Sequence, residues 1–315
     1  MIKKKLKNFA GLIRVRQYYK NLLIFVGAFF SENMLNFSIP TYISLLAGFI
    51  VLCCISSINY VINDLIDIED DKKHPEKIKK KPLASGEISK LIAILVIITL
   101  IIIALLLVLC FTLNLGFIIT LILLLLTGQL YNHVLKNYAF IDVLTLSMGF
   151  LWRALAGTLL IDVFISPWLF LAIFEIAMFL SLAKRKGDLM ILGEKDNAVS
   201  HKKVYEIYTL EILDQFYLMV ASSLFITYAL YLIIHFNLDD YQSYNTNEYL
   251  VIFSIPVFLF IIMKYIYLTS TKPEIARNPE RAFFNKGMFI AILILGCIIG
   301  YAYYIDEILI IISSI

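Results

Sequence analysis

Charge is scarce in this sequence. Only 16% of its 315 residues are Asp, Glu, Lys or Arg, against about 25% in a water-soluble globule. That shortage excludes a disordered regulator and a soluble enzyme. Four cysteines are too few for a disulfide scaffold. Cys53, Cys54, Cys110 and Cys297 all lie in apolar runs, where they read as small hydrophobes rather than metal ligands. Seven prolines and 13 glycines exclude a fibrous repeat. A net charge of +3 gives no ground for a nucleic-acid partner. No small-residue cleavage site follows the basic start, so no removable signal peptide is expected. What the chain has in excess is apolar surface, with 61% hydrophobic residues and a mean hydropathy of +0.85. It reads as a polytopic membrane protein.

A helix crosses the hydrocarbon core in about 20 residues. On that ruler the fold class is all-α with nine transmembrane helices, near 16–34, 42–62, 91–110, 114–131, 141–161, 166–183, 212–235, 249–268 and 287–305. The first is the weakest, because Arg16 and Lys20 lie in its opening turns. Twenty-six of the 27 Lys and Arg fall in residues 3–20, 72–90, 136, 184–203 and 264–286, which are alternate segments of this layout. The positive-inside rule then places the N-terminus in the cytoplasm and the C-terminus outside. The runs 91–109 and 117–126 are built almost wholly of Leu and Ile and are expected to face lipid. A single membrane domain over 1–315 is expected, with active-site loops near 63–90, 132–140, 184–211 and 269–286.

The second span ends in Asn63-Asp64-Leu-Ile-Asp67-Ile-Glu-Asp-Asp71. On a continuous helix Asp64, Asp67 and Asp71 fall within about 60° of one another, with Asn63 beside them. Hard oxygen ligands that leave room for water suit Mg²⁺ shared with substrate phosphates. A solvated acidic helix end paired with Lys72 and Lys73 explains the same residues. The basic loop that follows, His74-Pro75-Glu-Lys77 to Lys81-Pro82-Leu-Ala-Ser-Gly86, offers Lys77 and Lys81 to a phosphate, or merely obeys topology. Arg14, Gln17 and Asn21, with Lys20 alongside, form a second polar set, either for phosphate or as an interfacial anchor. Arg153 stands alone inside the fifth span and needs a partner or an anionic ligand. Glu175 is the candidate partner. Lys184 and Arg185 stand at the end of the sixth span, where an anion could dock.

Together these segments resemble the UbiA superfamily of intramembrane prenyltransferases, whose first motif, NDxxDxxxD, is matched in full by residues 63–71. The resemblance implies a bundle of nine helices around a central cavity. Within the superfamily the chain looks most like the decaprenyl-phosphate phosphoribosyltransferase branch. The matching pieces are Arg14-x-x-Gln17-x-x-Lys20-Asn21, His74-Pro75-x-Lys77, Pro82-x-Ala84-x-Gly86, Tyr131-x-x-x-Leu135-Lys136, Ile141-Asp142-Val143, Arg153-Ala154-x-Ala156-Gly157 and Lys184-Arg185. That branch carries Lys-Arg where aromatic prenyltransferases carry a second Asp-rich motif, and residues 184–197 hold no DxxxD.

What the resemblance implies is Mg²⁺-dependent transfer of a phosphoribosyl group from phosphoribosyl pyrophosphate to a polyprenyl phosphate. Asp64, Asp67 and Asp71 are the implied metal ligands. Asp64, Asp67, Lys184 and Arg185 are the catalytic set. Lys20, Asn63, Lys77, Tyr131, Lys136 and Arg153 are the phosphate-binding set. The implied location is the inner or plasma membrane with the site facing the cytoplasm, and the sequence allows a homo-oligomer. An aromatic-acceptor prenyltransferase uses the same Asp face and is the competing enzyme. A cation-coupled transporter is the competing non-enzyme, but no inverted repeat or broken-helix pair is present.

Overall fold

The computed structural model describes residues 2–31, 34–72, 78, 81–111, 113–193, 203–238 and 249–313. Among these residues every regular element is helical. In chain order the α-helices are α1 (Ile2–Leu12), α2 (Val26–Phe29), α3 (Ile39–Ile66), α4 (Ile68–Lys72), α5 (Lys90–Cys110), α6 (Leu115–His133), α7 (Ile141–Leu160), α8 (Pro167–Leu192), α9 (Leu210–His235), α10 (Ser254–Thr271), α11 (Pro273–Arg277) and α12 (Lys286–Ser313). Their starts are written locally. Ser38, Ser89 and Thr209 each accept a hydrogen bond from the backbone N–H three residues on, capping α3, α5 and α9.

Among the described residues eight helices are long and apolar enough to cross a membrane, and they lie where eight of the nine predicted spans lie. The remaining stretch, 16–34, is not one α-helix. A 3-10 segment, Val15–Phe25, runs into the single turn of α2. At about 2.0 Å rise per residue a 3-10 helix covers more distance than an α-helix of equal length. Two helices, α3 and α8, run past the predicted ends of their spans, to Ile66 and Leu192. Those extensions carry the acidic and basic motifs.

The chain divides into two compact units. The first comprises residues 1–133 and 149–164, the second residues 134–148 and 165–315, so α7 gives its opening turns to one and the rest to the other. In the first unit α3 is the central helix. In its most apolar stretch 67% is buried, whereas in α5 only 11% is, so α5 shows its Leu and Ile side chains to lipid. The core gathers Val51, Leu52, Phe117, Leu121 and Ala156. Gly157 is required here, because a Cβ would stand 1.8 Å from the Ile24 carbonyl oxygen of the 3-10 segment. Small residues allow such close approach where lipid offers helices no hydrophobic drive to associate.

In the second unit α8 packs along α9 and against α11. Its core is rich in tyrosine: Tyr205, Tyr208 and Tyr217 are almost wholly buried, and the Phe179 and Tyr217 rings stack at 4.5 Å between centroids. Gly187 lets α11 approach α8, since a Cβ there would meet Ala276 Cβ at 2.6 Å.

Candidate active site

The acidic motif begins as part of α3 and does not stay on one helix. Asp67 ends α3 with φ −83° and ψ 8°, and α4 starts at Ile68. The bend removes the expected three-carboxylate face. Asp64 and Asp71 are buried, while Asp67 is only half-buried. Among the described residues no group of three or more His, Cys, Asp or Glu side chains converges on one ion position. Two carboxylates do converge on one cation. Lys81 Nζ lies 2.9 Å from Asp64 Oδ1 and 2.5 Å from Asp71 Oδ2. Arg14 Nη2 donates to Asp64 Oδ1 at 2.7 Å, and its guanidinium rests 4.5 Å from the Tyr60 ring centre. Arg14 itself has left-handed backbone, φ 52°, a conformation that costs a non-glycine residue energy and clusters at functional sites.

This donor set suits a hard divalent ion. Mg²⁺ is commonly held by one or two carboxylates, the rest of its shell being water and substrate phosphate. Asp64 and Asp71 already point oxygens at a single positive centre. Asn63, half-buried next to Asp64, is the neutral oxygen nearest in sequence. Lys77 and His74 lie outside the described residues. Among the described residues the structure brings Lys81, held where Ser85 N–H bonds its carbonyl at 3.1 Å.

Arg14, Gln17 and Asn21 do not form the expected common face. A 3-10 segment turns about 120° per residue, so Asn21 is rotated away and is fully buried. Its amide oxygen accepts from Arg153 Nε at 2.8 Å and from the Ser56 hydroxyl at 3.1 Å. Arg153 Nη1 also donates to the Gly149 carbonyl at 2.6 Å. Arg153 is therefore served by neutral oxygens of its own unit, as intramembrane cations often are. The expected partner, Glu175, instead accepts from the Ser223 hydroxyl at 2.5 Å. Lys20 is half-buried with its ammonium 5.7 Å from the Phe150 ring centre, and Tyr131 is half-buried near the end of α6.

The second unit carries a different charge cluster. Lys184 is exposed and Arg185 is 1% exposed, because successive helical residues turn about 100° apart. Arg185 Nε donates to Asp142 Oδ2 at 2.7 Å, and Tyr208 Oη donates to Asp142 Oδ1 at 2.7 Å. Phe140 N–H in turn donates to Tyr208 Oη at 2.7 Å. Asp188 accepts from Arg277 Nε at 2.6 Å and from Tyr205 Oη at 3.0 Å. Burial pushes both phenols well above their ordinary titration range, so both stay neutral donors. Lys186 turns inward to Asp214 and Ser270. Lys136 is half-buried in the 3-10 turn Leu135–Asn137. Tyr205, Tyr208 and Arg277 carried no sequence signal as a group. Only Asp142, at the opening of a span, stood out.

Carboxylates and cations thus gather at the ends of the apolar helices of a membrane chain. The chain belongs to the UbiA prenyltransferase family, whose model matches residues 21–293, and it is a membrane-embedded transferase. It is 27% identical over 300 residues to the decaprenyl-phosphate phosphoribosyltransferase of Mycolicibacterium smegmatis, covering 93% of this chain and 91% of that one. It is 26% identical over 233 residues to the enzyme of the same name from Mycobacterium tuberculosis, covering 73% and 74% of the two chains. A UbiA homologue from Archaeoglobus fulgidus, solved bound to DMAPP and Mg²⁺, shares the fold with a TM-score of 0.65 at 17% identity, over 94% of this chain and 98% of that one.

Proposed function

We propose that the protein transfers a phosphoribosyl group from phosphoribosyl pyrophosphate to a polyprenyl phosphate, releasing pyrophosphate. An acceptor phosphate oxygen forms a bond to ribose C1 as the bond from C1 to the pyrophosphate oxygen breaks. The acceptor is already an anion, so the step needs no general base, and no histidine is required. Mg²⁺, when bound, neutralises charge on the departing pyrophosphate. Asp64 and Asp71 would hold it, with Asp67 and Asn63 next to them in the chain. Lys20, Lys77, Lys81 and Lys136 supply positive charge where phosphate charge develops, and Tyr131 offers a hydroxyl. Arg153 and Arg185 hold the surrounding helices in place from within their own networks. The Lys and Arg distribution supports a plasma-membrane location with these residues facing the cytoplasm.

The observation that carries the choice of donor is in the second unit. Asp142 and Asp188, the acidic groups of this cluster, are paired with Arg185 and Arg277. Carboxylates held in arginine pairs do not form a second acidic metal cluster, which argues against the aromatic-acceptor enzyme. The names of the mycobacterial relatives support the same reading.

The test is mass spectrometry of lipids after incubation of purified protein in vesicles with Mg²⁺. One reaction contains phosphoribosyl pyrophosphate and a polyprenyl phosphate. The other contains a polyprenyl diphosphate and a panel of aromatic acids. The expected product is a polyprenyl phosphate gaining one phosphoribosyl unit. Product only in the second reaction overturns the substrates and leaves an aromatic prenyltransferase.

A further inference from the structure

One ammonium stands on both carboxylates of the acidic motif. Lys81 Nζ is 2.9 Å from Asp64 and 2.5 Å from Asp71. A divalent ion bound by those same oxygens takes the position that the ammonium holds. Metal and ammonium cannot occupy it together, because each needs direct contact with the same two carboxylates. We propose that Lys81 and the divalent metal compete for one position between Asp64 and Asp71, and that metal entry drives the Lys81 ammonium out onto the phosphate groups of the substrate. This rests on the reading above, in which Asp64 and Asp71 hold Mg²⁺.

The surroundings permit the exchange. The Lys81 backbone is fixed: Ser85 N–H bonds its carbonyl at 3.1 Å, Ile88 N–H bonds the Pro82 carbonyl at 3.1 Å, and Leu83 is buried in the core with Leu12 and Val61. The side chain is a flexible four-carbon stem and is 19% exposed, whereas its two carboxylate partners are 2% and 1% exposed. The ammonium is therefore the mobile member of the cluster. Arg14 remains on Asp64 Oδ1 at 2.7 Å, so the carboxylate keeps one cation throughout.

The consequence is coupling between metal and phosphate. Metal alone must displace an ion pair. Metal accompanied by a diphosphate gives the displaced ammonium a new anionic partner. Lys81 thus keeps the protein from holding metal tightly before its substrate arrives.

The experiment measures Mn²⁺ binding by electron paramagnetic resonance on the full-length protein in lipid nanodiscs, with and without inorganic pyrophosphate. Lys81→Gln is expected to bind Mn²⁺ about tenfold more tightly than wild type without pyrophosphate, as removal of a competing charge predicts. Its further gain from pyrophosphate should shrink, and Lys81→Arg should keep the wild-type pattern. A Lys81→Gln affinity equal to or weaker than wild type overturns the competition. Absence of any Mn²⁺ site sensitive to Asp64→Asn overturns the metal reading as well, which separates the two failures. Amine labelling of the wild-type protein, read by mass spectrometry, needs no variant. Lys81 should label faster when Mn²⁺ is added, and an unchanged rate overturns the exchange.

Discussion

The two units use the same chemical ingredients to opposite ends. In the first, Asp64 and Asp71 are met by Lys81 and Arg14, whose side chains are 19% and 30% exposed. In the second, Asp142 is met by Arg185, and neither side chain exceeds 1% exposure. A long cation reaching in from the water margin can be exchanged for a ligand. A guanidinium sealed against a carboxylate that Tyr208 also braces cannot leave without stranding a buried charge. On the proposed reading, similar ion pairs make an exchangeable site in one unit and a fixed scaffold in the other. Exposure of the cation decides which.

The contrast is sharpest where activity and stability should separate. Asp64→Asn should abolish Mg²⁺-dependent transfer, with a loss of at least about a hundredfold, while size-exclusion profile and helical content stay normal. Near-normal turnover would place the first cluster among the scaffolds. Asp142→Asn should act on stability instead. Breaking a buried pair by removing one partner costs about 3–5 kcal/mol, read as a fall in melting temperature in detergent. Activity per folded molecule should change far less. If Asp142→Asn melted like wild type and lost donor affinity, the second cluster would be a binding site and the comparison would collapse.

Two smaller effects sharpen the boundary. Lys184→Ala should raise the KM for the phosphate-bearing donor several-fold, by loss of a charge-assisted contact, and leave the melting temperature unchanged. The neutral phenols of Tyr205 and Tyr208 give a pH signature. Their titration is raised in the folded chain, so the unfolded chain loses its phenolic protons first. Their contribution is complete below about pH 10, the ordinary tyrosine value, and falls as pH rises beyond it. Melting curves at pH 9 and above pH 10 should show the decline, and Tyr208→Phe should reduce it. The smallest effect belongs to Lys4 and Glu87, an exposed pair at 2.8 Å. Lys4→Ala should leave melting and activity unchanged, since exposed pairs are screened by water.

Legibility follows the range over which each feature is encoded. The eight long helices were readable because a run of apolar residues matched to bilayer thickness is a property of consecutive residues. The stretch 16–34 resisted the same ruler, since a 3-10 segment keeps the composition of a span and changes its turn and rise. The acidic motif was readable as residues 63–71. Its geometry was not, because the helix breaks at Asp67, and Asp64 and Asp71 meet across the break at Lys81. Lys77 and Lys81 were equal candidates by charge; Lys81 is held beside the acidic pair by the Pro82 turn, and Lys77 lies outside the described residues.

By itself the sequence determined that this is an all-α membrane protein with an acidic motif at a helix end and cations grouped in alternate loops. Those are properties of composition and near-neighbour spacing. Only the tertiary structure decided which cation serves which carboxylate. Arg185 finds Asp142 43 residues away and Arg153 finds Asn21 across 132. Adjacent Lys184 and Arg185 differ in fate because a helix turns about 100° per residue, and the packing of α8 selects which of the two faces inward.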